Sequence, residues 1–82
     1  MVLGAMARRW LVTGGSGFLG VNLVRHLLAR GEDVSTLDLV PYDADERTRI
    51  DARIGDVCDA RTVRAAVDGV DIVVHAAAAL PR

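Results

Sequence analysis

Apolar and polar positions alternate along this chain in short blocks whose period switches between two and about 3.6 residues. Trp10-Leu11-Val12-Thr13 is a short apolar run ending in a glycine cluster, and reads as a strand. From Phe18 to Arg30 the residues Leu19, Leu23 and Leu27, with Val24 and Leu28, recur at intervals of four and three, while Asn22, His26 and Arg30 share the other face. That spacing predicts an amphipathic helix stopped by Gly31. Val34-Ser35-Thr36-Leu37 predicts a second strand, closed by Asp38 and then by Pro41, and residues 41–50, polar and acidic without an apolar period, read as a loop. Ala52-Arg53-Ile54 fits a third strand ending at Gly55-Asp56-Val57. Asp59 is an N-cap for a helix whose inward face is Val63, Ala66 and Val67, with Gly69 as its stop. Residues 71–76, from Asp71 through Ile72-Val73-Val74-His75 to Ala76, form a nearly continuous apolar strand of the kind buried on both faces of a parallel sheet.

Strands alternating with helices at this spacing predict βαβ units, hence an α/β fold with a parallel sheet. Composition agrees: 51% hydrophobic and 26% charged residues in 82 places the chain among globular proteins. That length suits one small domain and is short for an enzyme. Residues 1–8 read as a flexible extension and 9–82 as the folded unit; Met1 to Ala7 have no basic stretch before their apolar residues, so they do not resemble a signal peptide. The net charge of -1 gives no footprint for nucleic acid, although residues 1–30 carry four arginines and no acid while 31–59 carry nine acids against three arginines. No apolar run approaches the roughly 18 residues of a membrane span. Cys58 is the single cysteine, which excludes an internal disulfide and a multi-cysteine metal site and makes a reducing cytoplasm the default location.

The chemistry sits between the first strand and first helix, in Thr13-Gly14-Gly15-Ser16-Gly17-Phe18-Leu19-Gly20. Glycines here serve a tight turn, a close backbone approach to a pyrophosphate, and close packing of helix on strand. The helix start then offers unpaired N–H groups and the positive end of its dipole to phosphates. Gly15, Gly17 and Gly20 satisfy G-x-G-x-x-G, whereas Gly14, Gly17 and Gly20 satisfy G-x-x-G-x-x-G, and spacing alone does not choose. Asp38 follows Gly20 by eighteen residues at the end of the second strand, which is the context a dinucleotide-binding loop requires. A carboxylate there accepts hydrogen bonds from the adenosine ribose hydroxyls and repels a 2′-phosphate, so NAD is favoured over NADP. A P-loop is excluded, because it needs a lysine and this chain has none.

Taken together these residues resemble the extended short-chain dehydrogenase/reductases of the NAD-dependent epimerase/dehydratase type, over nearly all of residues 9–82. The glycine loop is similar to that family's T-G-G-x-G-F-x-G, which selects the G-x-x-G-x-x-G spacing and brings Phe18 and Leu19 into the site with Gly14, Gly17 and Gly20. Gly55-Asp56-Val57 resembles the family's G-D-[IV], where Asp56 and the backbone at Val57 would hold the adenine ring. Val74-His75-Ala76-Ala77-Ala78 resembles V-x-H-x-A-A, whose backbone at Ala76, Ala77 and Ala78 would line the cofactor near the nicotinamide ribose. The resemblance implies a Rossmann-type sheet of order 3-2-1-4 with flanking helices, the incomplete first half of a doubly wound fold, and a chain that is the amino-terminal portion of a larger protein.

The family's proton transfer uses a tyrosine and a lysine four residues later. Tyr42, the one tyrosine, has Glu46 at that spacing and lies in the acidic loop, so no catalytic residue is assigned to this chain. No metal ligand set is present either. His26 reads as solvated, His75 as structural support for the cofactor loop, Cys58 as an inert, partly buried residue, and Trp10 as packing at the start of its strand. The expected function is NAD binding by part of an epimerase, dehydratase or sugar- or sterol-type alcohol dehydrogenase. The alternatives are a non-enzymatic dinucleotide-sensing module, or a non-binding remnant that misfolds.

Overall fold

The computed structural model describes residues 7–76. The elements are β1 (Arg9–Thr13), α1 (Phe18–Ala29), β2 (Asp33–Asp38), a 3-10 turn (Asp45–Arg49), β3 (Asp51–Ile54), α2 (Ala60–Val67) and β4 (Ile72–His75). All three strand pairings are parallel and the order is β3-β2-β1-β4, as the resemblance implied. The chain steps from β1 outward to β2 and β3, then returns to the far side of β1. Right-handed crossovers in opposite directions place their helices on opposite faces. Accordingly Val24, Leu27 and Leu28 of α1 pack with Val12 and Val34 on one face, and Ala66 of α2 packs with Leu11 and Leu37 on the other. Alternation along β1 supplies both cores: Val12 serves the first and Leu11 the second.

Both helices end as their sequences require. The Asp59 carboxylate accepts from the N–H groups of Arg61 (3.0 Å) and Thr62 (3.5 Å), capping α2. Gly31 and Gly69 follow α1 and α2 with φ of 79° and 73°, in the left-handed region where a side chain is disfavoured.

Three expectations need correction. Residues 41–50 are not a plain loop: they contain the 3-10 turn, and Tyr42 is buried in the α1-side core with Ala44 and Ile50 against it. This segment takes the place of a crossover helix between β2 and β3. Second, β4 is not buried on both faces; it alternates between half-buried Ile72 and Val74 and exposed Val73 and His75, because among the described residues it pairs only with β1 and α2 covers Leu11 and Leu37 instead. Third, Cys58 is exposed rather than partly buried, since the turn after β3 runs over the surface.

The Tyr42 hydroxyl donates to Glu46, whose same oxygen, Oε1, accepts from Arg25 Nε of α1 at 3.0 Å. Burial, reinforced by the Glu46 carboxylate, pushes the Tyr42 hydroxyl far above the ordinary tyrosine value of 10.0. The hydrogen bond from Tyr42, aided by Arg25, holds Glu46 below its ordinary value of 4.5. Above pH 10 an unfolded chain releases the tyrosine proton while the folded one keeps it, so stability falls as pH rises through that range. Denaturant unfolding from neutral to alkaline pH should show this slope, and Tyr42→Phe should abolish it while costing about 1.5–3 kcal/mol at neutral pH. A slope that persists in Tyr42→Phe would assign it to another group.

Candidate functional site

Parallel pairing brings every strand's carboxyl end to one edge. Thr13 stands opposite Leu37 on β2 and opposite His75 on β4, and Asp38 stands opposite Ile54 on β3, so the strands finish within a residue of one another. The segments that follow them, Gly14–Gly20, Asp38–Val40, Gly55–Val57 and Ala76, therefore share that edge. It is also where apolar side chains are left uncovered: Phe18 is 89% exposed, and Leu19, Leu39, Val40, Ile54 and Val57 are exposed with it. Ligands of doubly wound sheets bind there, in the crevice where the chain reverses its direction of travel between β1 and β4.

The glycine loop is built from contacts that leave little choice of residue. Gly14 has φ of 71° and donates to Leu37 O (2.8 Å), carrying the β1-β2 pairing into the turn. A Cβ on Gly20 would lie 2.4 Å from Gly14 O and 2.5 Å from Gly15 Cα, and one on Gly15 would lie 2.6 Å from the Thr36 methyl. Both spacings found in the sequence thus have steric reasons: Gly14 is needed for its backbone angle, and Gly15 for the approach of β2. Gly17 is different. Its φ is -79°, and a Cβ there would meet only Gly14 O at 3.5 Å, an ordinary contact. Nothing in the described fold requires a glycine at this position, which faces the open edge at the start of α1.

Gly17 is the N-cap of α1 and has no side chain to satisfy the free N–H groups of the first turn, nor does that turn contain an acid. Phe18, Leu19 and Gly20 therefore present N–H donors and the positive end of the helix dipole without an internal counter-charge. Beside the loop, Asp38 is half-buried at the end of β2; its Oδ2 accepts from Ser16 N (3.0 Å) and its Oδ1 more weakly from Val40 N (3.4 Å). Each oxygen retains a lone pair for a further donor. None of the ion pairs among the described residues involves Asp38.

The other sequence-derived residues fall on the same edge. Gly55 N donates to Asp38 O (2.9 Å), tying the Asp56 turn to β2, and Asp56 Oδ1 accepts from Cys58 N (2.8 Å) in an exposed turn that also exposes Val57. Ala76 N donates to Thr13 O (2.8 Å), extending the β1-β4 pairing. Ala77 and Ala78 lie outside the described residues. The Thr13 hydroxyl is hydrogen-bonded to His75 Nδ1, which ties the end of β4 to the end of β1. Sequence reasoning passed over Ser16, whose hydroxyl donates to Val40 O (3.1 Å). It occupies the unspecified position of the glycine motif, and its partners are 22 and 24 residues away.

A parallel 3-2-1-4 sheet with a glycine loop opening its first helix defines the Rossmann-type class of folds. Within that class the chain belongs to the 3-beta hydroxysteroid dehydrogenase/isomerase family, whose model matches residues 11–81. It is 44% identical over 70 residues to a 3-beta-hydroxysteroid dehydrogenase of Mycolicibacterium neoaurum, covering 85% of this chain and 19% of that protein. It is 46% identical over 70 residues, with the same coverage, to a 3 beta-hydroxysteroid dehydrogenase/Delta 5-->4-isomerase of Mycobacterium tuberculosis. Among solved structures, UDP-glucose 4-epimerase of Thermus thermophilus, in complex with NAD, superposes with a TM-score of 0.74 at 36% identity, over 87% of this chain and 24% of that one. The chain spans about a fifth of the length of the curated relatives it matches.

The two helix-side glycines should respond differently to the same methyl group. Gly20→Ala forces backbone apart and should cost about 1–3 kcal/mol or more, whereas Gly17→Ala should change stability by less than about 1 kcal/mol. Thermal unfolding of the two variants makes the comparison, and equal losses would show that Gly17 is held by the fold after all.

Proposed function

We propose that this chain forms the NAD-binding part of a dehydrogenase acting on the secondary alcohol at C3 of a steroid or sterol. The observation that carries the cofactor assignment is Gly17: the described fold has no use for a glycine there, while a dinucleotide phosphate approaching the first turn of α1 does. The N–H groups of Phe18, Leu19 and Gly20 hold the pyrophosphate, and Gly14 and Gly20 let the loop close beneath it. Asp38 accepts from the adenosine ribose hydroxyls, Asp56 and the backbone at Val57 hold the adenine ring, and the backbone at Ala76 lines the nicotinamide end.

Bound NAD supplies the hydride acceptor. The chain's own residues bind and orient it. They do not move the substrate proton, because there is no lysine in these 82 residues and Tyr42 is held neutral and buried against Glu46, on the α1-side core. The steroid assignment rests on the family and on the named activities of its relatives. A reducing compartment suits the exposed thiol of Cys58.

Calorimetric titration with NAD and NADP tests the cofactor reading. Saturable binding that prefers NAD is expected, and Asp38→Ala should weaken NAD roughly 10- to 100-fold, the worth of hydrogen bonds to a charged group, while narrowing the gap to NADP. Unchanged selectivity in Asp38→Ala would remove the ribose contact, and a folded protein that binds neither dinucleotide would remove the function. NAD reduction with a 3β-hydroxysteroid, measured on the intact protein, tests the substrate class.

A further inference from the structure

Asp38 is a specificity residue only if its carboxylate stays in place. A carboxylate free to rotate swings aside and lets a 2′-phosphate approach; one tied down repels it, because two like charges in one site disfavour each other's ionised form. Around Asp38 the backbone is held by Gly55, whose N–H donates to Asp38 O (2.9 Å), and just before it Leu37 O accepts from Gly14 N (2.8 Å). The side chain is held separately, by Ser16. Its N–H donates to Asp38 Oδ2 (3.0 Å), its hydroxyl donates to Val40 O (3.1 Å), and Val40 N returns to Asp38 Oδ1 (3.4 Å), closing a ring of three hydrogen bonds between the glycine loop and the end of β2. Farther along the same segment, Tyr42 and Glu46 are fastened to Arg25 of α1, so residues 39–46 are pinned to α1 and its loop at both ends.

We propose that Ser16 is a positioning residue for cofactor selectivity: through its N–H and hydroxyl it locks the Asp38 carboxylate in the orientation that accepts a ribose 2′-hydroxyl and rejects a 2′-phosphate. The proposal rests on the NAD reading above. It differs from a role in loop stability, because loosening the loop weakens both dinucleotides, whereas releasing Asp38 weakens NAD and relieves the repulsion of NADP.

The test is the ratio of NADP to NAD dissociation constants in the intact protein for wild type, Ser16→Ala, Ser16→Gly, Ser16→Thr, Asp38→Ala and the double variant Ser16→Ala with Asp38→Ala. Loss of the serine hydroxyl in the Ala and Gly variants should raise the NAD constant roughly three- to tenfold, the worth of one neutral hydrogen bond, and leave the NADP constant unchanged or lower. Ser16→Thr should restore the wild-type ratio. With Asp38 already removed, Ser16→Ala should alter the ratio no further, the non-additivity expected if the serine hydroxyl acts on the cofactor only through Val40 and Asp38. Equal weakening of NAD and NADP in the Ala and Gly variants, or full additivity in the double variant, overturns the role of Ser16 while leaving NAD binding intact. A wild type that binds no NAD overturns the NAD reading and this proposal together.

Discussion

The approach of Gly20 to the backbone of Gly14 and Gly15 decides where α1 begins. With no side chain in the way, the first turn of the helix rests directly on the loop that leaves β1, at separations a single methyl group would prevent. That seating aims the free N–H groups of Phe18, Leu19 and Gly20 over the carboxyl ends of the strands. The rest of the site follows from it: the α1-side core needs Val24, Leu27 and Leu28 above Val12 and Val34, and β4 ends against β1 beside the same loop.

A second constraint acts at the end of β2. The chain there does not cross over through a helix but runs along the α1 face as residues 39–50, held by the buried ring of Tyr42 and by the pairing of Glu46 with Arg25. A carboxylate largely withdrawn from water keeps its charge at little cost when it has two hydrogen-bond partners, where an unpaired one would not. The Tyr42, Glu46 and Arg25 cluster is thus structural, and it holds the segment after β2 against α1.

Elements with a strong local period were legible in the sequence, and so were the ends of the strands. The leucines of α1 repeat on one face, Asp59 announces α2, and Asp38 and Gly55 mark where strands stop; parallel pairing then brought Gly14–Gly20, Asp38, Asp56, Val57 and Ala76 to one edge as the motifs implied. What escaped depends on contacts between distant residues. Tyr42 sits in a polar, aperiodic stretch, and only the hole left beside Val24 and Leu28 explains its burial. An apolar run such as Ile72-Val73-Val74 reads as buried, yet burial depends on what lies against it, and α2 rests on β1 and β2 instead. Ser16 occupies a motif position that tolerates many residues, and its partners become visible only once β2 is laid beside β1.

The most direct measurement is amide chemical shifts during titration with NAD. Saturable shifts should be largest at Phe18, Leu19 and Gly20, with Ser16, Asp56 and Val57 following, and the opposite edge of the sheet, from Arg8 to Trp10 and Glu32, should stay unmoved. Shifts concentrated at that opposite edge, or none at the first turn of α1, would contradict the assignment of the carboxyl edge as the dinucleotide site.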